Sequence, residues 1–330
     1  MRLLLIGGGL LLLGLVGSAQ AALLDPFAGS NQNPLVAVYG LPPAGPAKVL
    51  APGRGRVELR SLLASSASRS QRSTESVLLD GETTRVTLAL AYGLQENLEV
   101  GVEVPYLFHQ DGFLDALIMD WHDFFHLPQG DRPALPRDRL DYRYQRNGTS
   151  LLEVKDETSG FGDLRLLGAL QLWQESSGEG EQSLALRASL KLPTGDAAKL
   201  TGSGSTDLAL WLTGSHQRPA HRWGLFGAAG VLFLSEGDLL PAQQRQIVPF
   251  ATLGGGWQPW QRLALKLQFD AQGAFYSDSA LHELSPSVQL VMGGTLRLAP
   301  ATELDLSFSE DLLVDSAPDI VFQLVLRRRF

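Results

Sequence analysis

The chain has 330 residues, a net charge of −8 and no cysteine. The absence of cysteine excludes disulfide bonds, thiol catalysis, thiolate metal sites and a lipid-anchored amino terminus. The negative charge, with no basic block except residues 327–329, argues against nucleic acid as a partner.

The first 21 residues have the features of a cleaved secretory signal peptide. Met1 and Arg2 supply a positive start, residues 3–16 are apolar, and Ala19-Gln20-Ala21 forms a small-x-small cleavage motif. We therefore expect an exported mature chain that begins at Ala22. No later apolar run approaches the about 20 residues that a spanning helix needs. The exported chain is then either a soluble periplasmic protein or a β-barrel.

Residues 22–54 are rich in proline and glycine and show no usable period. We interpret them as an irregular amino-terminal segment. Such a segment can hang in the periplasm or fold into the lumen of a barrel, and the sequence leaves both alternatives open.

From residue 55 onward apolar and polar residues alternate, which is typical of β-strands with one apolar face. The pattern predicts an all-β fold, a transmembrane antiparallel up-and-down barrel of about twelve strands over residues 55–330. Because closure pairs every edge and hides the polar face, we prefer it to a soluble periplasmic sandwich. The predicted strands are 57–63, 86–92, 98–106, 164–172, 184–192, 208–212, 223–235, 247–257, 263–269, 288–298, 304–308 and 320–330.

The connections alternate between short turns and longer loops, as in outer-membrane barrels. The longest loops are expected at 65–81 and 109–160, on the extracellular side, so both chain ends lie on the periplasmic side. Most tryptophans fall near that side, where an aromatic girdle is expected. Trp173 has inward parity unless a β-bulge intervenes.

The carboxyl-terminal strand resembles the last strand of bacterial outer-membrane barrels. Phe322, Leu324 and Leu326 share one face, and the chain ends on Phe330. This pattern predicts an insertion signal that barrel insertion machinery reads, with lipid of the outer membrane as the surrounding partner. The predicted location is the outer membrane of a Gram-negative cell.

Several segments together resemble one family. They are residues 92–106, Gly112-Phe113-Leu114-Asp115 with Trp121-His122-Asp123, Gly162-Asp163, Asn31-Gln32-Asn33-Pro34, Phe275-Tyr276-Ser277-Asp278-Ser279, and Glu310-Asp311 with Ala317-Pro318-Asp319. The chain resembles the domain of unknown function 3187 family over almost its whole mature length. In addition, residues 191–196 resemble a strand-end motif of the wider porin-like superfamily. The resemblance implies an outer-membrane barrel and implies no established substrate or activity.

Charged residues of both signs take the parity that faces the lumen. They form either an eyelet that selects solutes or a self-neutralising network that fills and rigidifies the barrel, and the mixture of signs favours the network. The predicted network comprises Glu58, Arg60, Arg85, Glu99, Glu103, Asp163, Arg165, Arg187, Lys191, Lys266, Asp270, Arg297, Glu303, Asp305, Arg327 and Arg329.

The loop at 109–160 is predicted to contain an amphipathic helix, because apolar residues recur at spacings of three and four. We expect this helix to cover the mouth of the barrel as a lid or to lie in the outer-leaflet interface. The lid residues are Phe113, Leu114, Asp115, Leu117, Ile118, Trp121, His122, Asp123, Phe124 and Phe125. His122 and His126, four residues apart, are too weak a signal to assign a metal.

The leading functional hypothesis is a porin-like channel for passive passage of small solutes, including apolar solutes that the aromatic helix would receive. The main alternative is a structural or interaction barrel with a closed lumen. A lipid-modifying outer-membrane enzyme is a third hypothesis, but no serine is paired with a histidine at a defensible spacing. We therefore expect no enzyme, no catalytic residues and no cofactor.

Overall fold

The computed structural model describes residues 23–126, 130–178, 180–313 and 315–330. The predicted signal peptide, residues 1–21, lies outside the described residues. In the described part of the chain no helix is both long enough and apolar enough to cross a membrane.

Fifteen strands form one sheet in the described residues. They are β1 (Gly55–Gln71), β2 (Glu75–Gln95), β3 (Leu98–Gln110), β4 (Asp141–Arg146), β5 (Thr149–Val154), β6 (Thr158–Phe161), β7 (Leu164–Ser177), β8 (Gly180–Leu192), β9 (Asp207–Arg218), β10 (Trp223–Leu234), β11 (Ile247–Trp260), β12 (Leu263–Gln272), β13 (Ser287–Ala299), β14 (Thr302–Asp311) and β15 (Ile320–Arg329).

Twelve of these strands close into an antiparallel barrel, as predicted. Each of β7 to β15 pairs with the next, β3 pairs with β7, and β1 pairs with both β2 and β15. The additional pairing of β2 with β3 completes the ring. The ring therefore has no unpaired edge at membrane depth, which is the condition for crossing lipid with strands.

The predicted alternation of the two faces is present in the wall. Outward residues such as Leu59, Leu88 and Leu324 are exposed, whereas Glu58 and Arg327 are buried on the inner face. Trp173 is exposed because the register of β7 on β8 shifts between Gln171 and Trp173. The bulge that the parity of Trp173 requires is therefore present.

The prediction of a long loop at 65–81 is wrong, because most of these residues are in strands. β1 continues to Gln71 and β2 begins at Glu75, so these residues extend the first hairpin beyond the neighbouring strands. The outer end of β1 is polar and that of β2 contains the apolar run Val77-Leu78-Leu79, so the alternation of aliphatic residues that marked the shorter strands is absent there. Because the ladder of hydrogen bonds needs no apolar face, it continues without that signal.

The long connection between β3 and β7 contains a hairpin that the sequence analysis did not predict. β4 pairs with the extended end of β2 and with β5, while β6 pairs with β3. The turn between β4 and β5 is Asn147-Gly148, with both residues at positive φ. Asn-Gly between alternating segments is a strong hairpin signal, so this element was readable from the sequence.

The helix of this connection, α1 (Asp115–Phe125), is present as predicted. Its Leu114 and Ile118 are buried against Ile320, with Leu63 and Phe308 packed beside them. Those three wall residues have outward parity, so α1 lies against the outside of the barrel wall. The interpretation of the helix as a lid over the mouth is therefore wrong, and the interfacial alternative fits its position.

The exposure and contacts of the remaining predicted lid residues agree with this position of the helix. Phe113, Leu117, Trp121 and Phe124 are exposed. Asp115 pairs with the buried Arg132. His122 is half-buried and Asp123 is exposed. For Phe125 only the backbone lies within the described part of the structure. Among the described residues no group of three His, Cys, Asp or Glu side chains has the arrangement of a metal site.

Candidate functional site in the barrel lumen

The first ion cluster joins the two ends of the barrel sheet. Arg327 on β15 donates to Glu58 on β1 at 2.7 Å and lies 3.4 Å from both Glu303 and Asp305 on β14. Arg329 donates to Glu303 at 3.0 Å. Except for Arg329, which is 16% exposed, these charged groups are nearly inaccessible to solvent, so each needs the charge of its partner.

The second cluster lies on β1, β3, β7 and β8. Glu99 faces Arg56 at 3.3 Å and Arg187 at 3.4 Å. Glu103 faces Arg165 at 3.8 Å and Arg60, which also contacts Glu58. The two clusters are therefore continuous through Glu58 and Arg60. The signs alternate along them, so this part of the wall presents no field of a single sign.

The third cluster is centred on Lys191, which is 1% exposed. Its ammonium lies 2.5 Å from Asp163 and 3.2 Å from Asp207, and it donates to Ser203 at 2.6 Å. Three donors of the ammonium are thus matched by three acceptors, which is the condition for burying a lysine in the charged form.

Three of the sixteen predicted network residues lie apart from these clusters. Arg85 donates to the carbonyl of Ala37. Asp270 accepts from Thr252 and Gln268. Arg297 is directed toward the short-turn end, where it donates to the carbonyl of Gln261. Lys266 is joined to the first cluster through Asp305 at 3.8 Å, and it donates at 2.8 Å to the carbonyl of Asp25.

Three network members were missed in the sequence. Arg56 precedes the first predicted strand by one residue and shares the inward parity of Glu58. Asp207 likewise precedes a predicted strand and is the first residue of β9. Asp25, which pairs with Arg329 at 3.1 Å, is in the irregular segment, where no periodicity indicates its partner.

Residues 23–50, here called the lumenal segment, account for most of the remaining lumen. They form no helix or strand, and most of them are buried. Contacts with the wall run along their length: the N–H of Phe27 donates to Gln268 on β12, and that of Leu50 donates to Glu99 on β3. Of the two alternatives for this segment, the structure has the lumenal one.

The main-chain carbonyls of the lumenal segment are bound by side chains of the wall. Arg165 donates to Tyr39 at 3.0 Å and to Leu41 at 3.2 Å. The other donor and acceptor pairs are Arg85 to Ala37, Trp211 to Ala44 at 2.8 Å, Thr213 to Gly45 at 3.0 Å, Arg187 to Pro46 at 2.9 Å and Gln171 to Ala47 at 3.0 Å.

An apolar cluster closes the long-loop end of the lumen. Tyr39 stacks on Phe275 with ring centroids 5.0 Å apart and meets the edge of Tyr276. Tyr142 and Tyr144, on the β4–β5 hairpin, are fully buried in the same cluster. The hairpin that the sequence analysis missed thus covers the mouth, a role it had assigned to α1.

Little space is left between the lumenal segment and the wall. A cavity of about 50 Å³ remains, lined by Phe27, Pro43, Glu58, Arg60 and Glu103 among others. This volume holds a few water molecules at most. The lumenal segment and the wall are therefore closely packed around this cavity.

The predicted insertion signal lies on the outer face of the last strand. Phe322, Leu324, Leu326 and Phe330 are all exposed there. Phe330 closes the seam with its backbone, since its N–H donates to Gly55 at 3.0 Å and its carbonyl accepts from Gly55 at 2.8 Å.

Comparison of the sequence with known protein families identifies the family of this chain. The sequence matches the profile described as "Protein of unknown function (DUF3187)" over residues 15–330. The chain belongs to the DUF3187 family. No curated protein matches this DUF3187 chain.

Many solved structures resemble the DUF3187 barrel, and two of them are outer-membrane proteins of similar coverage. One is an outer membrane channel from Pseudomonas putida F1, with a TM-score of 0.57 and 15% identity, covering 86% of this chain and 98% of that one. The other is the NanC porin, with a TM-score of 0.45 and 6% identity, covering 82% and 97%. The first likeness shows the fold, a porin-like barrel of the kind found in Gram-negative outer membranes.

Proposed function

We propose that the protein is an outer-membrane channel for small solutes and that the lumenal segment closes it. The observation that carries this proposal is that residues 23–50 occupy the part of the lumen that the ion clusters of the wall leave free. About eight strands give a barrel that wall side chains fill, and wider barrels enclose a cavity or a channel. Twelve strands leave a lumen that needs a separate filler.

The lumenal segment is attached to the barrel in a way that allows it to leave the lumen. Residues 51–54 connect it to β1 at one end, and its described contacts with the wall are made by side chains. No hydrogen bond of the barrel ladder involves it, because it pairs with no strand. Its release would therefore open a passage while the twelve-stranded ring stays intact.

The charges that line this passage favour neither anionic nor cationic solutes. Acids and bases are paired along the wall, as for Glu99 with Arg56 and Arg187, so neither sign is in excess. When the segment leaves, Tyr39 leaves with it, and Phe275 and Tyr276 remain as apolar side chains at the long-loop end. Apolar solutes are therefore included in the proposal, in keeping with the sequence-based hypothesis.

Cellular placement is part of the same proposal. Export by a signal peptide cleaved after Ala21 would deliver the chain, insertion machinery would read the last strand, and the exposed outer face would contact lipid. The short turns and both chain ends would face the periplasm.

A closed structural barrel is the second candidate, favoured by the cavity of about 50 Å³ and the three buried ion clusters. Conductance in planar bilayers separates the two. We use the wild type, Gly45→Val and Gly168→Val. Gly45 has a φ of +71° and a Cβ there would approach Arg187, so a side chain should loosen the lumenal segment, whereas a Cβ on Gly168 meets nothing within 4 Å.

We expect rare openings of the wild type and of Gly168→Val and frequent openings of Gly45→Val. The channel proposal is wrong if Gly45→Val is silent although a cysteine placed in its lumenal segment has become reactive. Such a result would favour the closed structural barrel.

A further inference from the structure

The wall of the lumen binds a stretch of main chain through its carbonyls. Six side chains on β2, β7, β8 and β9 donate to seven carbonyls between residues 37 and 47. We call these side chains the carbonyl-binding wall: Arg85, Arg165, Gln171, Arg187, Trp211 and Thr213. Most of them contact an atom that every amino acid carries, so much of the recognition is independent of side chains.

Donors and acceptors are strongly unequal in this contact. Over residues 37–47 one main-chain N–H, that of Gly40, donates to a wall side chain, Asp207, at 2.7 Å among the described contacts. Pro42, Pro43 and Pro46 have no N–H to satisfy but keep their carbonyls. A proline-containing chain therefore matches a surface that offers donors and few acceptors.

Gly45 adds a requirement for shape. Its φ of +71° is unfavourable for other residues, and a Cβ there would lie 3.1 Å from Nε of Arg187. Arg187 itself donates to the next carbonyl, that of Pro46. The backbone thus has to turn where the guanidinium approaches it, which selects glycine at this place.

We propose that the carbonyl-binding wall is a binding site for peptides that contain proline and glycine, and that residues 37–47 occupy it as an internal ligand. This inference rests on the proposed function, in which the lumenal segment leaves. Once it leaves, donors such as Trp211 Nε1 face the lumen without their protein acceptors, and a chain with carbonyls at the same spacing restores those hydrogen bonds. Proline-rich peptides do so at low entropic cost.

The test uses the full-length protein and a fluorescent peptide with the sequence of residues 37–47, AVYGLPPAGPA. Because the chain has no cysteine, Ala44→Cys gives a unique thiol whose reaction rate reports release of the segment. Gly45→Val is added to weaken the internal ligand, since an attached segment competes at a high effective concentration. Heat-dependent gel mobility verifies that each barrel is intact.

We expect the introduced thiol to be protected in Ala44→Cys and to react at least about tenfold faster when Gly45→Val is present. The peptide should bind saturably to Gly45→Val, and a scrambled peptide should bind at least about tenfold more weakly. The wild type should bind neither. Adding Trp211→Phe, which keeps a ring but removes the donor, should weaken binding about fivefold, as should Thr213→Val.

The proposal is overturned if the introduced thiol becomes reactive and the peptide still does not bind, or if both peptides bind alike. Continued protection of that thiol in the double variant also overturns it, because the turn at Gly45 is then dispensable. If Gly45→Val fails to form a barrel, Gly40→Val replaces it, since a Cβ there would lie 2.9 Å from Cβ of Asp207.

Binding is measured in detergent without reference to conductance, so the two proposals fail separately. A barrel that binds the peptide but never conducts would contradict the channel alone. A barrel that conducts but binds no peptide would contradict the carbonyl-binding wall alone.

Discussion

Arg327 donates to Glu58 at 2.7 Å, and this contact joins the last strand of the barrel to the first. Both side chains are 4% exposed. Breaking a buried ion pair costs about 3–5 kcal/mol. Arg327 would keep Glu303 and Asp305, but Glu58 also pairs with Arg56 and Arg60, so three guanidinium groups lose a carboxylate. We therefore predict that Glu58→Leu destabilises the barrel by about this amount, measured as a lower temperature for the shift in heat-dependent gel mobility.

Glu96→Leu is the matched control, because Glu96 is exposed in the turn between β2 and β3. It should leave the transition temperature nearly unchanged. Equal shifts for the two variants would mean that the contact between Arg327 and Glu58 contributes nothing specific to closure.

The closing contact was predictable because parity alone places both residues inside. Glu58 and Arg327 sit directly opposite each other in the register of β1 on β15. The same argument places Glu303 opposite Arg327 on β14. In a barrel, the alternation of side chains along a strand places each residue on the inner or outer face. The pairing of the strands then sets which residues are neighbours, so the wall can be derived from the sequence.

The contents of the lumen were not predictable in this way. Asp25 and Tyr39 find their partners through tertiary contacts of an irregular segment, for which no period exists. The β4–β5 hairpin was missed for another reason. Its Asn147-Gly148 turn is a hairpin signal, but the loop was interpreted only from its helical pattern. The position of α1 depends on the buried contacts of Leu114 and Ile118, and an amphipathic pattern cannot tell the mouth from the wall.

The attachment of α1 is predicted to depend on Arg132. This buried guanidinium pairs with Asp115 on the helix, and it donates to Asp319 at 2.6 Å and to Ser65 at 3.1 Å. In Arg132→Met the two carboxylates repel each other without a cation between them. We expect limited proteolysis between residues 111 and 138 to accelerate about tenfold or more.

Arg137→Met serves as the control for this prediction, since Arg137 lies in the same connection and is exposed. Its digestion pattern should match the wild type. If Arg132→Met is equally resistant, the apolar contacts of Leu114 and Ile118 with Ile320 hold the helix without help from the ion pairs.

Glu283 is predicted to make closure dependent on pH. It lies in a loop between β12 and β13, its carbonyl accepts from Asn33 of the lumenal segment at 3.1 Å, and its side chain is fully buried. Burial, reinforced by the charges of Asp315 and Asp131, raises its pKa from 4.5 to about 7. The folded loop therefore favours the neutral acid.

For a carboxyl with a raised pKa, the folded state binds more protons than the unfolded state, so stability falls as pH rises. The loss should begin near pH 4.5 and be complete above about 7. We expect the thiol of Ala44→Cys to react faster as pH rises through this window. Because any thiol reacts faster as it ionises, each rate is divided by the rate of a small free thiol at the same pH. Glu283→Gln should flatten the profile, apart from a contribution of Asp315, whose pKa burial also raises. An unchanged profile would exclude Glu283 as the cause.

Phe330 is predicted to act in assembly and not in stability. Its ring is 64% exposed, whereas its main-chain groups bond to Gly55 at 3.0 and 2.8 Å. Phe330→Ala keeps those main-chain bonds, so the purified chain should refold in detergent like the wild type. In cells we expect the amount in the outer membrane to fall several-fold, because we propose that the terminal aromatic is part of an insertion signal. Phe269→Ala, which removes another outward aromatic, should cause no such loss. Equal losses for both variants, or a parallel defect in refolding, would assign Phe330 to the stability of the lipid-facing wall instead.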